Sequence, residues 1–171
     1  MGILICGLNG VGKSTLGKLL AERLSCPFID NEDLYFPKTD RRYAYAHPRG
    51  KEEVIRLLEE RIEKDRNFVF ASVKGDYGAK LLSHLDHIVL MEIPREIRLA
   101  RVRERSLNKF GDRIRDGGDL AGRENAWFAL VERRPEDYVL RWLETVDIPV
   151  IRVDGTRSVE ENVEYLVSVL T

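Results

Sequence analysis

The sequence predicts an α/β fold: a three-layer α/β/α sandwich in which helices cover both faces of a five-stranded parallel sheet. Three observations predict it. Short apolar runs (Ile3 to Cys6, Cys26 to Ile29, Phe68 to Val73, Asp86 to Ile93, Ile148 to Val153) alternate with stretches of helical periodicity. Such alternation builds βαβ units, whose right-handed crossovers place helices on both sides of the sheet. The first run leads directly into Gly7-Leu8-Asn9-Gly10-Val11-Gly12-Lys13-Ser14-Thr15, which fits G-x-x-x-x-G-K-[ST] between a strand and a helix. At 171 residues the chain is long enough for one domain with a substantial core, and short for two.

The chemistry of that loop dictates its residue types. A nucleoside triphosphate is wrapped by consecutive backbone N–H groups, here from Asn9 to Thr15. The loop therefore needs glycines that accept positive φ and leave room for phosphate oxygens. Lys13 would reach the β- and γ-phosphates, and Ser14 would ligate Mg²⁺ through its hydroxyl. The helix that follows turns its positive end toward the same anion.

Taken in order, the first helix runs from Lys13 to Leu24, with Leu16, Leu19, Leu20 and Leu24 on one face. The second strand closes on Asp30-Asn31-Glu32-Asp33. Leu34 to Gly50 has neither helical nor strand periodicity, and an irregular stretch of that length marks a functional flap. A helix is expected over Lys51 to Asp65, and the third strand ends in the turn Lys74-Gly75-Asp76-Tyr77-Gly78. Pro94 opens an arginine-rich helix, and the pattern breaks over Leu107 to Gly122, where Gly111, Gly117 and Gly118 supply the hinges of a lid. Helix resumes near Arg123 and runs to about Thr145 with an interruption at Pro135, placing Trp127, Phe128, Trp142 and Leu143 in packing positions. After the fifth strand, Asp154-Gly155-Thr156 turns into a last helix with a capping box from Ser158 to Glu161. Ligands of such a sheet bind outside the carboxyl ends of the strands, which gathers these loops into one cleft.

Composition narrows the function. Charged residues make up 33% of the chain but the net charge is −1, so no global basic field draws in nucleic acid. Cys6 and Cys26 fall in apolar surroundings without metal-ligand spacing, which fits a reducing, cytoplasmic setting. The chain enters its first strand within two residues, so no signal peptide is expected, and no apolar run approaches the ~20 residues needed to span a membrane. The flap is locally basic, with Lys38, Arg41, Arg42, Arg49 and Lys51 against Asp40, and this predicts an anionic acceptor. Its aromatic residues either stack on a base or pack the flap against the body of the protein.

These motifs together resemble the small P-loop kinases of the shikimate, gluconate and adenylate kinase group, over nearly the whole chain. The resemblance implies the P-loop NTPase fold. Phe28-Ile29-Asp30-Asn31-Glu32-Asp33 resembles the F-x-D-x-D segment of shikimate and gluconate kinases, with Glu32 where the second Asp falls. Lys74-Gly75-Asp76 stands where shikimate kinase has a glycine-rich turn at its acceptor. Arg101 and Arg105 resemble the arginine pair leading into the lid, and Asp154-Gly155-Thr156-Arg157 resembles the loop that lies against adenine. Phe110-Gly111-Asp112-Arg113 and Asp116-Gly117-Gly118-Asp119 are similar to segments of bacterial proteins labelled only as AAA-family ATPases.

The roles implied are those of an ATP- and Mg²⁺-dependent kinase acting on a nucleoside monophosphate or a sugar acid. Asp30 and Glu32 would hold the metal or take the acceptor proton. Asp33, Arg42, Lys74, Gly75 and Asp76 would line the acceptor, and Arg101, Arg105 and Arg113 would neutralise the transferring phosphoryl. Such an enzyme is expected as a monomer or homodimer. The alternatives are a nucleotide-dependent switch or ATPase with a protein partner, and a kinase of nucleic-acid ends. No N-K-x-D guanine motif is present, and no strand ends in an Asp-Glu pair.

Overall fold

The computed structural model describes residues 1–170 and holds five strands in one parallel sheet. Strand β1 (Gly2–Cys6) is central, and all of its residues are buried. It pairs with β3 (Phe68–Ala71) on one side and β4 (His87–Glu92) on the other, setting Leu4 beside Phe70 and Ile88. Strands β2 (Phe28–Asp30) and β5 (Val150–Asp154) form the edges, giving the order β2-β3-β1-β4-β5. Central strands covered on both faces read as unbroken apolar runs, which is why β1, β3 and β4 are legible as such. The strand order reverses beside β1, so the crevice at the carboxyl end of β1 is where this sheet accepts a ligand.

Helix α1 (Lys13–Arg23) buries Leu16 and Leu20 and packs against α8 (Val159–Leu170). Helix α3 (Lys51–Lys64) buries Val54, Leu58 and Ile62 at helical spacing, and each such side chain contributes about 1.5–3 kcal/mol of transfer free energy. α5 (Arg95–Phe110) and α6 (Ala121–Arg133) have a small core of their own, in which Val102, Phe128 and Val131 meet Leu99 and Ile114. No helix is long and apolar enough to cross a membrane among the described residues.

Several expectations are corrected. β2 starts two residues later than its apolar run and takes in Asp30 at its end, which then caps a short helix, α2 (Asn31–Tyr35), accepting from the Glu32 N–H at 2.9 Å. A further short helix, α4 (Ala79–Ser83), follows the turn at Gly78. α5 does not break at Leu107; no glycine interrupts it until Gly111, where a 3₁₀ turn (Gly111–Ile114) begins. The long last-but-one helix is two: α6 ends at Arg133 and α7 spans Tyr138–Leu143. The residue before Pro135, Arg134, is forced to extended backbone (ψ 125°). Trp127 is 37% exposed rather than packed, since Glu124, Phe128 and Val131 occupy the inward stripe of α6.

Candidate functional site

The loop between β1 and α1 has the backbone of an anion cradle. Gly12, the N-cap of α1, sits at φ 101°, and no side chain caps the helix among the described residues. Its first turn also carries no acidic residue, so its N–H groups and positive end remain for an outside anion. Gly10 lies at φ 89° against α5, where a Cβ would stand 2.3 Å from the Arg98 carbonyl oxygen. Lys13 folds back over the loop and donates from Nζ to the Gly7 and Leu8 carbonyls at 2.9 and 3.0 Å. Burial lowers its pKa from 10.5 to about 8, with Arg134 and Arg105 pushing the same way and Asp30 opposing them. Cys6, immediately before the loop, is pushed up to about 12 by burial and stays a thiol.

Beside this cradle lies a cavity of about 330 Å³ lined by Val11, Gly12, Thr15, Met91, Arg101, Gly155, Arg157 and Asn162. Arg101 reaches from α5 to the Gly155 carbonyl at 3.3 Å, bridging to the turn after β5. That turn is held from within: Asp154 accepts from the Thr156 N–H at 2.8 Å and its hydroxyl at 2.6 Å, bonds that lower the carboxyl's pKa. Asn162, buried on α8, donates to the Asp154 carbonyl at 2.9 Å. A Cβ on Gly155 would meet Ile93 at 2.6 Å and the Val11 carbonyl at 3.1 Å, so a bare backbone lies against the cradle.

The carboxylates at the end of β2 are not equivalent. Asp30 uses Oδ1 as the cap of α2 and lies close enough to Lys13 to favour its ammonium. Glu32 is already paired, Oε2 with Arg105 and Oε1 with the Tyr45 hydroxyl at 3.2 Å, with Lys38 3.5 Å away. Asp33 is exposed and paired with Lys38. Across the cleft, Lys74 pairs with Asp76 at 3.4 Å and sits 4.4 Å over the Tyr138 ring. Asp76 is shared with Lys51 at 3.1 Å. Gly75 is buried under Leu4 and Trp142, both 2.8 Å from where a Cβ would stand, so core packing alone accounts for a glycine there.

Flap and lid touch each other. Arg113 grips Asp119 with two nitrogens, at 3.0 and 2.7 Å, and donates to the Arg42 carbonyl at 2.7 Å, while the Arg42 side chain is exposed. Tyr43 and Tyr45 pack on Phe110 with ring centroids 5.4 and 6.1 Å apart, so the flap aromatics face the lid. The Tyr43 hydroxyl donates to Glu124 at 2.7 Å, and Glu124 is only 2% exposed.

Sequence reasoning missed three residues here. Arg134, between α6 and α7, donates to the Asn9 side chain of the phosphate loop and lies 5.1 Å from the Tyr138 ring. Glu124 is the buried anchor of the flap, and Arg98 is the largest fully buried side chain of the protein. Pro135 was the available signal for Arg134, since a proline after a helix fixes the direction of the residue before it. Nothing local distinguishes Glu124 from the exposed acids around it.

A phosphate loop at the switch point of this parallel sheet defines a nucleotide-binding P-loop protein. Its relatives place it more narrowly. The AAA domain family model matches residues 3–121. Uncharacterized protein YqaC of Bacillus subtilis is 28% identical over 98% of this chain and 96% of its own length. A shikimate kinase of Caldicellulosiruptor bescii is 32% identical over 66% of this chain and 72% of its own. The crystal structure of a shikimate kinase from Aquifex aeolicus superposes with a TM-score of 0.56 at 21% identity, covering 99% of this chain and 96% of that one. The chain belongs to the AAA domain family, within the group of small P-loop kinases that includes shikimate, gluconate and adenylate kinases.

Proposed function

We propose that the protein transfers the γ-phosphoryl group of ATP, with Mg²⁺, to a hydroxyl or phosphate of a small anionic acceptor. The observation that carries this reading is the convergence of Lys13 and Arg134 on one end of the loop: Arg134 bonds Asn9 and is near enough to depress the Lys13 pKa. Phosphoryl transfer asks mainly for positioning and for positive charge where the equatorial oxygens sit. The uncapped, acid-free start of α1 and the positive-φ glycines fit a triphosphate, and the cavity beside Arg101 and Gly155 fits its base. Mg²⁺ would be held by Ser14 and by Asp30. Among the described residues no cluster of three or more His, Cys, Asp or Glu could hold a metal, so the remaining ligands would be phosphate oxygens and water. The ion would supply charge neutralisation at the β- and γ-phosphates.

In this reading the acceptor oxygen attacks phosphorus, the bond to the β–γ bridging oxygen breaks, and ADP leaves. The acceptor proton passes to a carboxylate. Glu32 has both oxygens engaged, whereas Asp30 uses Oδ1 as the cap of α2 and would offer Oδ2 either to the metal or to this proton. Lys74, 4.4 Å over the Tyr138 ring, would receive the acceptor's negative charge, with Asp33, Arg42, Gly75 and Asp76 around it. Arg105 and Arg113 are tied to Glu32 and to Asp119, and would have to exchange those partners for phosphate as the lid (107–122) and the flap (34–50) rearrange. The test is ADP release from Mg-ATP against a panel of nucleoside monophosphates and sugar acids. Stimulation by one of them, abolished by Lys13→Ala in a protein that still folds, is the expected result. Hydrolysis indifferent to every acceptor would favour a nucleotide switch instead.

A further inference from the structure

Arg98 is 1% exposed, and its Nε and Nη1 have no hydrogen-bond partner among the described residues. A buried guanidinium in that state needs a reason, because desolvating a charge is costly unless it is paired. It pairs with Glu136, which is itself half exposed and also accepts from Arg95 at 2.6 Å. Arg95 in addition donates to the Glu132 carbonyl at 2.7 Å, fastening the end of α6 to the start of α5. Glu136 follows Arg134 by two residues, with Pro135 between them, and Arg134 reaches Asn9. The Arg98 carbonyl oxygen meanwhile lies 2.3 Å from where a Cβ on Gly10 would stand, so α5 packs closely against the phosphate loop there. The contacts form a closed ring: phosphate loop, Arg98, Glu136, Pro135, Arg134 and back to the loop.

We propose that the Arg98–Glu136 pair is the positioning element that aims Arg134 at the terminal phosphate of the nucleotide, with Pro135 as the rigid link. The inference rests on the nucleotide-binding reading above and deepens it. Arg134 alone would touch phosphate; Glu136 and Arg98 act through it. The exposed carboxylate is drawn onto the buried guanidinium, which fixes the α6–α7 connection, and a proline-locked φ carries that position one residue back. Asn9 holds the guanidinium at the rim of the loop until phosphate oxygens replace it.

The test measures the affinities of the full chain for Mg-ATP and Mg-ADP by calorimetry and takes their ratio, which reports contacts to the terminal phosphate alone. Arg134→Ala should lower the preference for ATP ~10-fold or more, the loss of a charge-assisted hydrogen bond. Glu136→Gln should lower it by a similar factor, and adding Glu136→Gln to Arg134→Ala should change it no further. Should Glu136→Gln unfold because it strands a buried charge, the pair Arg98→Met with Glu136→Gln removes that charge, and it too should lose the preference. A folded Glu136 variant with the wild-type ratio overturns the positioning role. A wild-type ratio in Arg134→Ala overturns the Arg134 contact instead, and a wild-type chain that binds neither nucleotide overturns the site itself.

Discussion

Nucleotide binding should take up a proton, through Lys13. In the free protein burial brings its pKa from 10.5 to about 8. That drop corresponds to about 3 kcal/mol, as an upper bound, against the partly buried charge. Phosphate oxygens favour the ammonium and raise the pKa again in the complex. At pH 8 about half of the free protein carries neutral Lys13, so each nucleotide bound should draw in ~0.5 proton, and at pH 6.5 almost none. Affinity should fall about fivefold from pH 8 to pH 9 and about tenfold more by pH 10, in a range where the nucleotide itself no longer titrates. Calorimetry of Mg-ATP binding in buffers of contrasting ionisation enthalpy measures the uptake, and Lys13→Met should abolish it. Zero uptake at pH 8 with a flat affinity up to pH 9 would refute the depressed pKa of Lys13. The same titration acts on folding when no ligand is bound. The unfolded chain keeps this proton up to 10.5 while the folded one releases it near 8, so Lys13 adds stability as pH rises across that window.

Three further outcomes follow from packing. Tyr43→Phe leaves a carboxylate oxygen of buried Glu124 without its 2.7 Å partner, and urea denaturation should show a loss of ~1–3 kcal/mol. Gly10→Ala combines a φ of 89° with a carbonyl 2.3 Å from the new Cβ; strain of ~1–3 kcal/mol should appear as a lower Tm together with weakened Mg-ATP binding. Gly75→Val drives a branched side chain between Leu4 and Trp142 and should cost ~1–3 kcal/mol in denaturant unfolding, whatever ligand is present. An unchanged midpoint in that last experiment would mean that α7 is not held against the sheet through Trp142.

Much of the fold was legible because its signals are local. An apolar run buried on both faces, as in β1, β3 and β4, needs no partner to be recognised. The same holds for the capping box of α8, where Ser158 and Glu161 bond each other's backbone or side chain at 2.8–3.2 Å. The edge strands are less legible. Only Val153 of β5 is buried, and β2 has three residues, so their patterns carry little periodic information.

The sequence by itself determined a phosphate loop between a strand and a helix, an alternating order of strands and helices, and therefore the cleft where a nucleotide belongs. Residue type and spacing suffice there, because the chemistry is carried by consecutive backbone groups. Tertiary structure alone decided that Glu32 is occupied by Arg105, that the flap aromatics close on Phe110, that Glu124 is buried, and that Arg134 meets Asn9. Each of those contacts joins residues more than sixty positions apart. A charged side chain writes the same letter whether it ends in water or against a distant partner, and only the packed chain shows which.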